Sequence, residues 1–94
     1  MTDTQTNLAI PAPKSVQATF VPRTYYQRAI ADYLDKKGVE GCDPRWIEGY
    51  MRLQYSTLGH LDARTFNREI RLGVACVQEG GTDAAERNAQ SFGL

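Results

Sequence analysis

The chain has 94 residues, which is enough for one domain with a single small hydrophobic core. Its 11 Lys and Arg residues balance 11 Asp and Glu residues, so no overall positive field favours nucleic acid or anionic lipid. No apolar run reaches the roughly 20 residues of a membrane span, and no signal-peptide pattern opens the chain. We therefore expect a cytoplasmic protein without a membrane partner, in which Cys42 and Cys76 are free thiols.

Residues 1–23 differ from the rest of the chain. They hold three of the four prolines and show no helical period, which predicts an extended or disordered N-terminal arm. Val16, Ala18 and Phe20 alternate with polar residues, and this period of two is typical of a segment that lies in a groove or along a sheet edge. The pattern leaves open whether the arm is free, packs on its own domain, or binds a partner.

Residues 24–94 carry the signals of an all-α domain of three to four helices. Thr24 and Gln27 have the spacing of a capping box, and Gly38 is placed to end the helix that this box begins, predicted over 25–37. Four apolar residues of this helix share one face: Tyr26, Ile30, Tyr33 and Leu34. Tyr25 points away from that face, so we expect it to be an exposed aromatic side chain.

A second helix is predicted from Pro44 to about Tyr55, with Asp43 as the capping residue and the proline in its first position. The spacing groups four side chains on an inner face: Trp46, Ile47, Tyr50 and Leu53. Met51 and Tyr55 are displaced to a flank. An interior Gly49 indicates a close contact with another helix.

The third predicted helix is the longest and covers 63–79, with Asp62 as its cap. Phe66, Ile70, Val74 and Val77 form its inner face. The same helical spacing places Arg64, Arg68 and Arg71 on the opposite, solvent-facing side. Two glycines then end the helix, and Thr82 begins a short terminal helix whose inner face is predicted to be Ala85, Ala89 and Phe92.

The sequence offers little for catalysis. A single histidine, His60, and two cysteines without paired spacing do not form a recognisable zinc pattern, and no phosphate-binding loop or metalloprotease motif is present. Cys42, next to a helix start, is the more reactive thiol candidate, although packing against the helix explains it more simply. We expect no enzyme activity, no bound metal and no cofactor.

Two features favour binding. The arginine stripe of Arg64, Arg68 and Arg71 suits phosphates or an acidic protein surface. The chain also has more aromatic residues than one small core needs, so Tyr25 and Tyr55, beside Met51, are candidate interface residues. For both features a plain solvated surface or core rim is the competing interpretation.

The C-terminal half also resembles a known group of proteins. Residues 74–81 (VACVQEGG), 84–87 (AAER) and the ending 91–94 (SFGL) resemble the tails of short uncharacterised proteins of bacterial phages and other mobile elements. The resemblance implies an accessory factor, such as an inhibitor, that binds and modulates a host protein, including proteins of defence systems. It supplies no functional residues.

These observations predict a small protein-interaction module. The alternative is a small DNA-binding factor that uses the helix around Arg64 to Arg71, although the neutral net charge weakens it. The identity of the protein partner and the formation of a homodimer stay open at this point.

Overall fold

The computed structural model describes residues 20–94, which form four α-helices and no strand. The helices are α1 (Tyr25–Lys36), α2 (Pro44–Gln54), α3 (Ala63–Gly80) and α4 (Thr82–Ser91). The predicted all-α class is confirmed, and each helix begins where the sequence predicts. Of the predicted arm, residues 1–19 lie outside the described residues. Within the described part, none of the helices combines the length and apolar content needed to cross a membrane.

Side-chain caps explain the first three helix starts. Thr24 Oγ1 accepts a hydrogen bond from the Gln27 amide at 3.0 Å, and Asp43 and Asp62 cap α2 and α3 in the same manner. The backbone hydrogen bond from Thr65 also lowers the pKa of the Asp62 carboxyl group. At α4 the capping residue is Gly81, which provides no side-chain hydrogen bond, so Thr82 is the first helical residue rather than the cap.

Two helices end in the same glycine motif. Gly38 after α1 and Gly93 after α4 have positive φ angles of 70° and 75°, which favour glycine. The next amide then reaches back five residues, from Val39 to the Leu34 carbonyl at 2.9 Å and from Leu94 to the Ala89 carbonyl at 3.0 Å. In both places the motif turns an apolar residue, Val39 or Leu94, back against the core.

Helix α2 is the centre of the fold, because each of the other three helices packs more extensively against α2 than against any other helix. Six of its eleven residues are buried, and they lie on almost every side of its first two turns: Pro44, Trp46, Ile47, Glu48, Gly49 and Met51. The core is completed mainly by Ile30 and Leu34 of α1 and Ile70 of α3. Leu53 lies beyond these buried residues, in the last turn of α2, where it lines an open cleft, so this predicted inner residue is 63% exposed.

The other predicted inner faces are confirmed with one exception. Ile70 and Val77 of α3 are buried, and Phe66 and Val74 pack against the core from its edge. In the terminal helix Ala89 is fully buried, but Phe92 is 39% exposed. Leu94 packs on the core instead, because the turn at Gly93 directs it inward.

Gly49 marks the close helix contact that the sequence indicates. A Cβ atom added to it would lie 3.0 Å from Asn88 Nδ2 and 3.2 Å from the backbone Cα of Ala89. The side-chain amide could move aside, but the backbone of α4 could do so only by a shift of the whole helix. The absence of a side chain at Gly49 therefore sets the approach of α4 to α2.

We expect Gly49→Ala to destabilise the fold by about 1 to 2 kcal/mol, since overpacking outweighs the gain in helix propensity. Gly80→Ala is the matched control, because its added Cβ would meet nothing within 4 Å. Urea unfolding followed by circular dichroism measures both variants. Equal stability of the two would show that α4 does not pack closely on α2.

An ion-pair cluster also holds α4 on α2. Glu86 accepts hydrogen bonds from Arg45 Nη2 at 2.7 Å and from the Trp46 indole Nε1 at 2.8 Å. The same guanidinium pairs with the α2 capping residue Asp43 at 2.7 Å. The hydrogen bonds from Arg45 and then Trp46 lower the pKa of the Glu86 carboxyl group. Glu86 therefore contributes stability when it is ionised.

This lowered pKa predicts a pH dependence. Above the ordinary glutamate pKa of about 4.3 the full contribution of Glu86 is present, and it is lost as the pH falls through the lower, folded-state pKa. Wild type should therefore melt above Glu86→Gln at pH 7, and the difference should shrink towards pH 3. Glu40→Gln, at an exposed position of the connection between α1 and α2, is the control and should melt like wild type at both pH values.

Candidate interaction surfaces

Helices α1 and α3 leave a seam between them that contains two hollows. The first, of about 370 Å³, lies between the start of α1 and the start of α3, and the second, of about 290 Å³, lies towards the end of α1. On α1 the lining residues recur at every fourth position: Tyr25, Ala29, Tyr33 and Lys37. On α3 they are Ala63, Phe66, Asn67, Arg71 and Val74. We call this surface the α1–α3 seam.

The two hollows lie one after the other along α1. The α1 residues that line them span twelve positions, which correspond to about 18 Å of helix. A partner helix of three turns has this length. Both hollows have mainly apolar or aromatic walls, so the seam suits an amphipathic segment with regularly spaced apolar residues.

The second hollow has a positive rim. Lys37 Nζ lies 5.7 Å from the centre of the Tyr33 ring, which is the geometry of a cation–π contact. Arg71 lines the same hollow from α3. Of the described residues that line it, two are cations and none is a carboxylate, and the others are Tyr33, Val39 and Val74. This end of the seam favours a carboxylate next to an apolar group.

The first hollow has an aromatic wall. The Tyr25 and Tyr26 rings meet edge to face with centroids 5.4 Å apart, and Tyr26 lies 6.4 Å from Phe66. Arg52 of α2 lies over the other ring of the pair, 5.9 Å from the centre of Tyr26. Tyr25 itself is 71% exposed, as the sequence predicts, and forms the outer edge of the hollow.

The arginine stripe of α3 is exposed as predicted, but its members differ. Arg64, Arg68 and Arg71 all lie on the outer side of the helix. Arg68 reaches back to the buried carboxylate of Glu69 at 3.5 Å, whereas Arg71 points to the second hollow. Arg71 is therefore the member of the stripe that belongs to the seam.

Two predicted interface residues are less exposed than the sequence predicts. Met51 is fully buried because α2 is enclosed on the side where it lies, so it cannot contact a partner. Tyr55 is half-buried against the core, and its hydroxyl group donates to Glu69 Oε2 at 3.1 Å. Its hydroxyl group already has a partner inside the protein, so only the exposed part of its ring is available to a binding partner, and its role in binding stays a prediction.

A buried polar network, which was not predicted from the sequence, links the start of α1 to α2. Glu48 is fully buried and accepts hydrogen bonds from Thr24 Oγ1 at 3.1 Å, Gln27 Nε2 at 3.0 Å and Arg52 Nη2 at 2.8 Å. Gln27 Oε1 in turn accepts a hydrogen bond from the backbone amide of Arg23. In a standard capping box this side chain would accept from the amide of the capping residue itself, Thr24. Charged residues are rarely buried, so no simple sequence rule would have placed Glu48 inside.

A second surface lies on the other side of the core, in a cleft of about 200 Å³ between α2, the end of α3 and the start of α4. Trp46, Tyr50 and Leu53 form one wall. The other walls consist mostly of small residues: Cys76, Gly80, Gly81, Ala84 and Ala85, together with Val77 and Asn88. None of the described residues that line it is charged. We call it the α2–α4 cleft.

The structure offers little for a metal or for thiol chemistry at Cys42. Among the described residues, no group of three or more His, Cys, Asp or Glu side chains is arranged to hold a metal ion. Burial, and secondarily the charge of Asp43, raises the pKa of the Cys42 thiol to about 11. The reactive thiolate is therefore suppressed, and Cys42 acts as a core residue. Cys76 is exposed.

Comparison with known proteins does not place the chain in a family. No protein-family model, no curated protein and no solved structure matches the chain significantly. Any function therefore has to be argued from the surfaces themselves.

The two thiols should differ sharply in a chemical assay. With a pKa of about 11 for Cys42 and a buried sulfur, we expect 5,5′-dithiobis(2-nitrobenzoate) at pH 8 to modify only Cys76 in the folded protein. Both thiols should react in denaturant. Rapid release of two equivalents of the coloured thiolate from the folded protein would contradict the buried position of Cys42.

Proposed function

We propose that this chain is a small, non-enzymatic, cytoplasmic protein-interaction module that binds an acidic amphipathic segment of a protein partner along the α1–α3 seam. The observation that carries the proposal is the pairing of an aromatic hollow at one end of the seam with a cationic hollow at the other. Apolar anchors fix the position of a bound helix, and the cations select its carboxylates.

The resemblance of the C-terminal half to phage and mobile-element proteins adds a context to this proposal. In that context the partner is a host protein, including one of a defence system, and binding modulates or inhibits it. The residues of the seam indicate only the type of segment that would bind, which has one acidic side and one apolar side. They do not indicate which protein carries it.

DNA binding through the stripe around Arg64 to Arg71 is the second candidate, supported by three exposed guanidinium groups on one side of α3. Two features oppose it. The net charge is zero, and the connection from residue 55 to residue 62 before α3 is longer than the 3 to 4 residues of a helix-turn-helix turn. An experiment therefore has to distinguish a protein partner that binds the α1–α3 seam from DNA that binds the arginine stripe.

We expect Tyr25→Ala and Arg71→Ala each to weaken partner binding about 5- to 30-fold without loss of fold, because both side chains are exposed and line the seam. The partner is first captured from nuclease-treated host lysate, and its affinity is then measured by calorimetry. Arg87→Ala, an exposed arginine on α4, is the matched control and should bind like wild type.

Two outcomes would count against the module. If both seam variants bind the captured partner as tightly as Arg87→Ala, the seam is not the binding surface. If instead duplex DNA binds with a steep salt dependence, and the triple Arg64, Arg68 and Arg71 to Ala variant abolishes it while Tyr25→Ala does not, the DNA-binding function replaces the module.

A further inference from the structure

We propose that two copies of this chain associate in an antiparallel arrangement through one exposed side of α3. We call this surface the α3 flank; it consists of Arg68, Leu72, Ala75, Cys76 and Glu79. The α1–α3 seam lies along another side of the same helix, so the inference does not depend on the proposed function.

The centre of the α3 flank is apolar and adjoins a second exposed leucine. Leu72 is 48% exposed, and Leu53 of α2 is 63% exposed. Cys76 is also exposed, follows Leu72 by one helical turn, and lines the α2–α4 cleft together with Leu53. One solvent-exposed apolar strip therefore extends from the outer side of α3 to the edge of the cleft. Adjoining apolar side chains of this kind are typical of interaction surfaces.

The charges of the α3 flank lie at its two ends. Arg68 precedes Leu72 by four residues and Glu79 follows it by seven, so the helical spacing places all three on one side. Residues 72–78 (LGVACVQ) between them carry no charge. Arg68 and Glu79 are both exposed, and the contact of Arg68 with Glu69 is long at 3.5 Å. A cation and a carboxylate thus lie about 16 Å apart along the helix, on either side of an uncharged centre.

This order of charges favours a second copy of the chain as the binding partner. Most homodimers have a twofold axis, and a helix that crosses the axis at right angles meets its own copy in the antiparallel direction. Arg68 of each chain then lies opposite Glu79 of the other, which gives two complementary pairs. A parallel arrangement would place Arg68 opposite Arg68 and is disfavoured by repulsion.

The same register brings the apolar centres together. With Arg68 opposite Glu79, Leu72 lies opposite Ala75 of the second copy, next to Cys76 at the edge of the α2–α4 cleft. The two leucines therefore meet near the twofold axis. An interface made mainly of one helix side is at the small end of specific interfaces, so we expect a weak dimer with a Kd of about 10 to 100 µM.

Sedimentation equilibrium of the full chain from about 2 to 500 µM tests the association, and we expect a change from monomer to mostly dimer. Leu72→Asp should raise the Kd about tenfold or more, because it places two carboxylates near the twofold axis. Val21→Asp is the matched control, since Val21 is 70% exposed and lies before α1, and it should associate like wild type.

Charge reversal tests the antiparallel direction. Arg68→Glu alone and Glu79→Arg alone each place like charges opposite one another, and each should raise the Kd about tenfold. An equal mixture of these two variants should restore the affinity of wild type. In the mixed dimer the two reversed charges face each other, and the two original charges do the same. A folding defect in either variant would not be corrected by mixing, and circular dichroism measures the fold of each directly.

Cys76 allows a second measurement, because it is exposed whereas Cys42 is buried. A bis-maleimide crosslinker should join two wild-type chains through Cys76 at a concentration where the dimer is populated. The Leu72→Asp variant should give much less of this product, and Cys76→Ser should give none.

Three results would overturn the inference. A monomer at every concentration would show that the α3 flank does not self-associate. A dimer that Leu72→Asp leaves unchanged would have its interface elsewhere. A mixture of the two charge-reversed variants that associates as weakly as each variant alone would exclude the antiparallel pairing of Arg68 with Glu79.

Discussion

The buried carboxylate of Glu48 is the interaction on which the arrangement of this small domain depends. A buried charge is costly, and here four hydrogen bonds offset that cost, from Thr24, Gln27 and both Nε and Nη2 of Arg52. Thr24 also caps α1, so one carboxylate links the start of α1 to the central helix α2. Arg52 also lies over the ring of Tyr26, 5.9 Å from its centre, so the network reaches the aromatic cluster of Tyr25, Tyr26 and Phe66.

The seam follows from this anchoring. Because α1 is fixed mainly to α2, it meets α3 over a smaller area, and the space along α1 is left as hollows instead of core. Exposed side chains at the rim of the seam also contact neighbouring aromatic rings of α1. Tyr25 meets the ring of Tyr26 edge to face, and Lys37 lies over Tyr33, so aromatic and cationic groups are partly ordered before any partner arrives. Such preorganisation lowers the entropy cost of binding.

The helices could be predicted from the sequence because their signals are local. A cap such as Asp62 acts on an amide three residues away, and a glycine such as Gly38 determines only its own turn. Burial is different, since it depends on neighbours that are remote in the chain. Met51 and Leu53 exchanged their predicted environments because α2 has partners on several sides. The sequence likewise assigned Tyr25 to an aromatic surface and Arg71 to a separate arginine stripe. In the structure α1 and α3 lie side by side, so both residues line the same seam.

Small residues have opposite effects at the two ends of the α2–α4 contact. At Gly49 the missing side chain allows α4 to approach until a Cβ would touch the backbone of Ala89. Around Gly80, Gly81 and Ala84 the same lack of side-chain volume leaves an open space beside Trp46 and Tyr50, and a cleft remains. The close contact at Gly49 and the ion pair of Arg45 with Glu86 together hold α4 in this position on α2. The cleft is thus a consequence of how α4 is attached to α2.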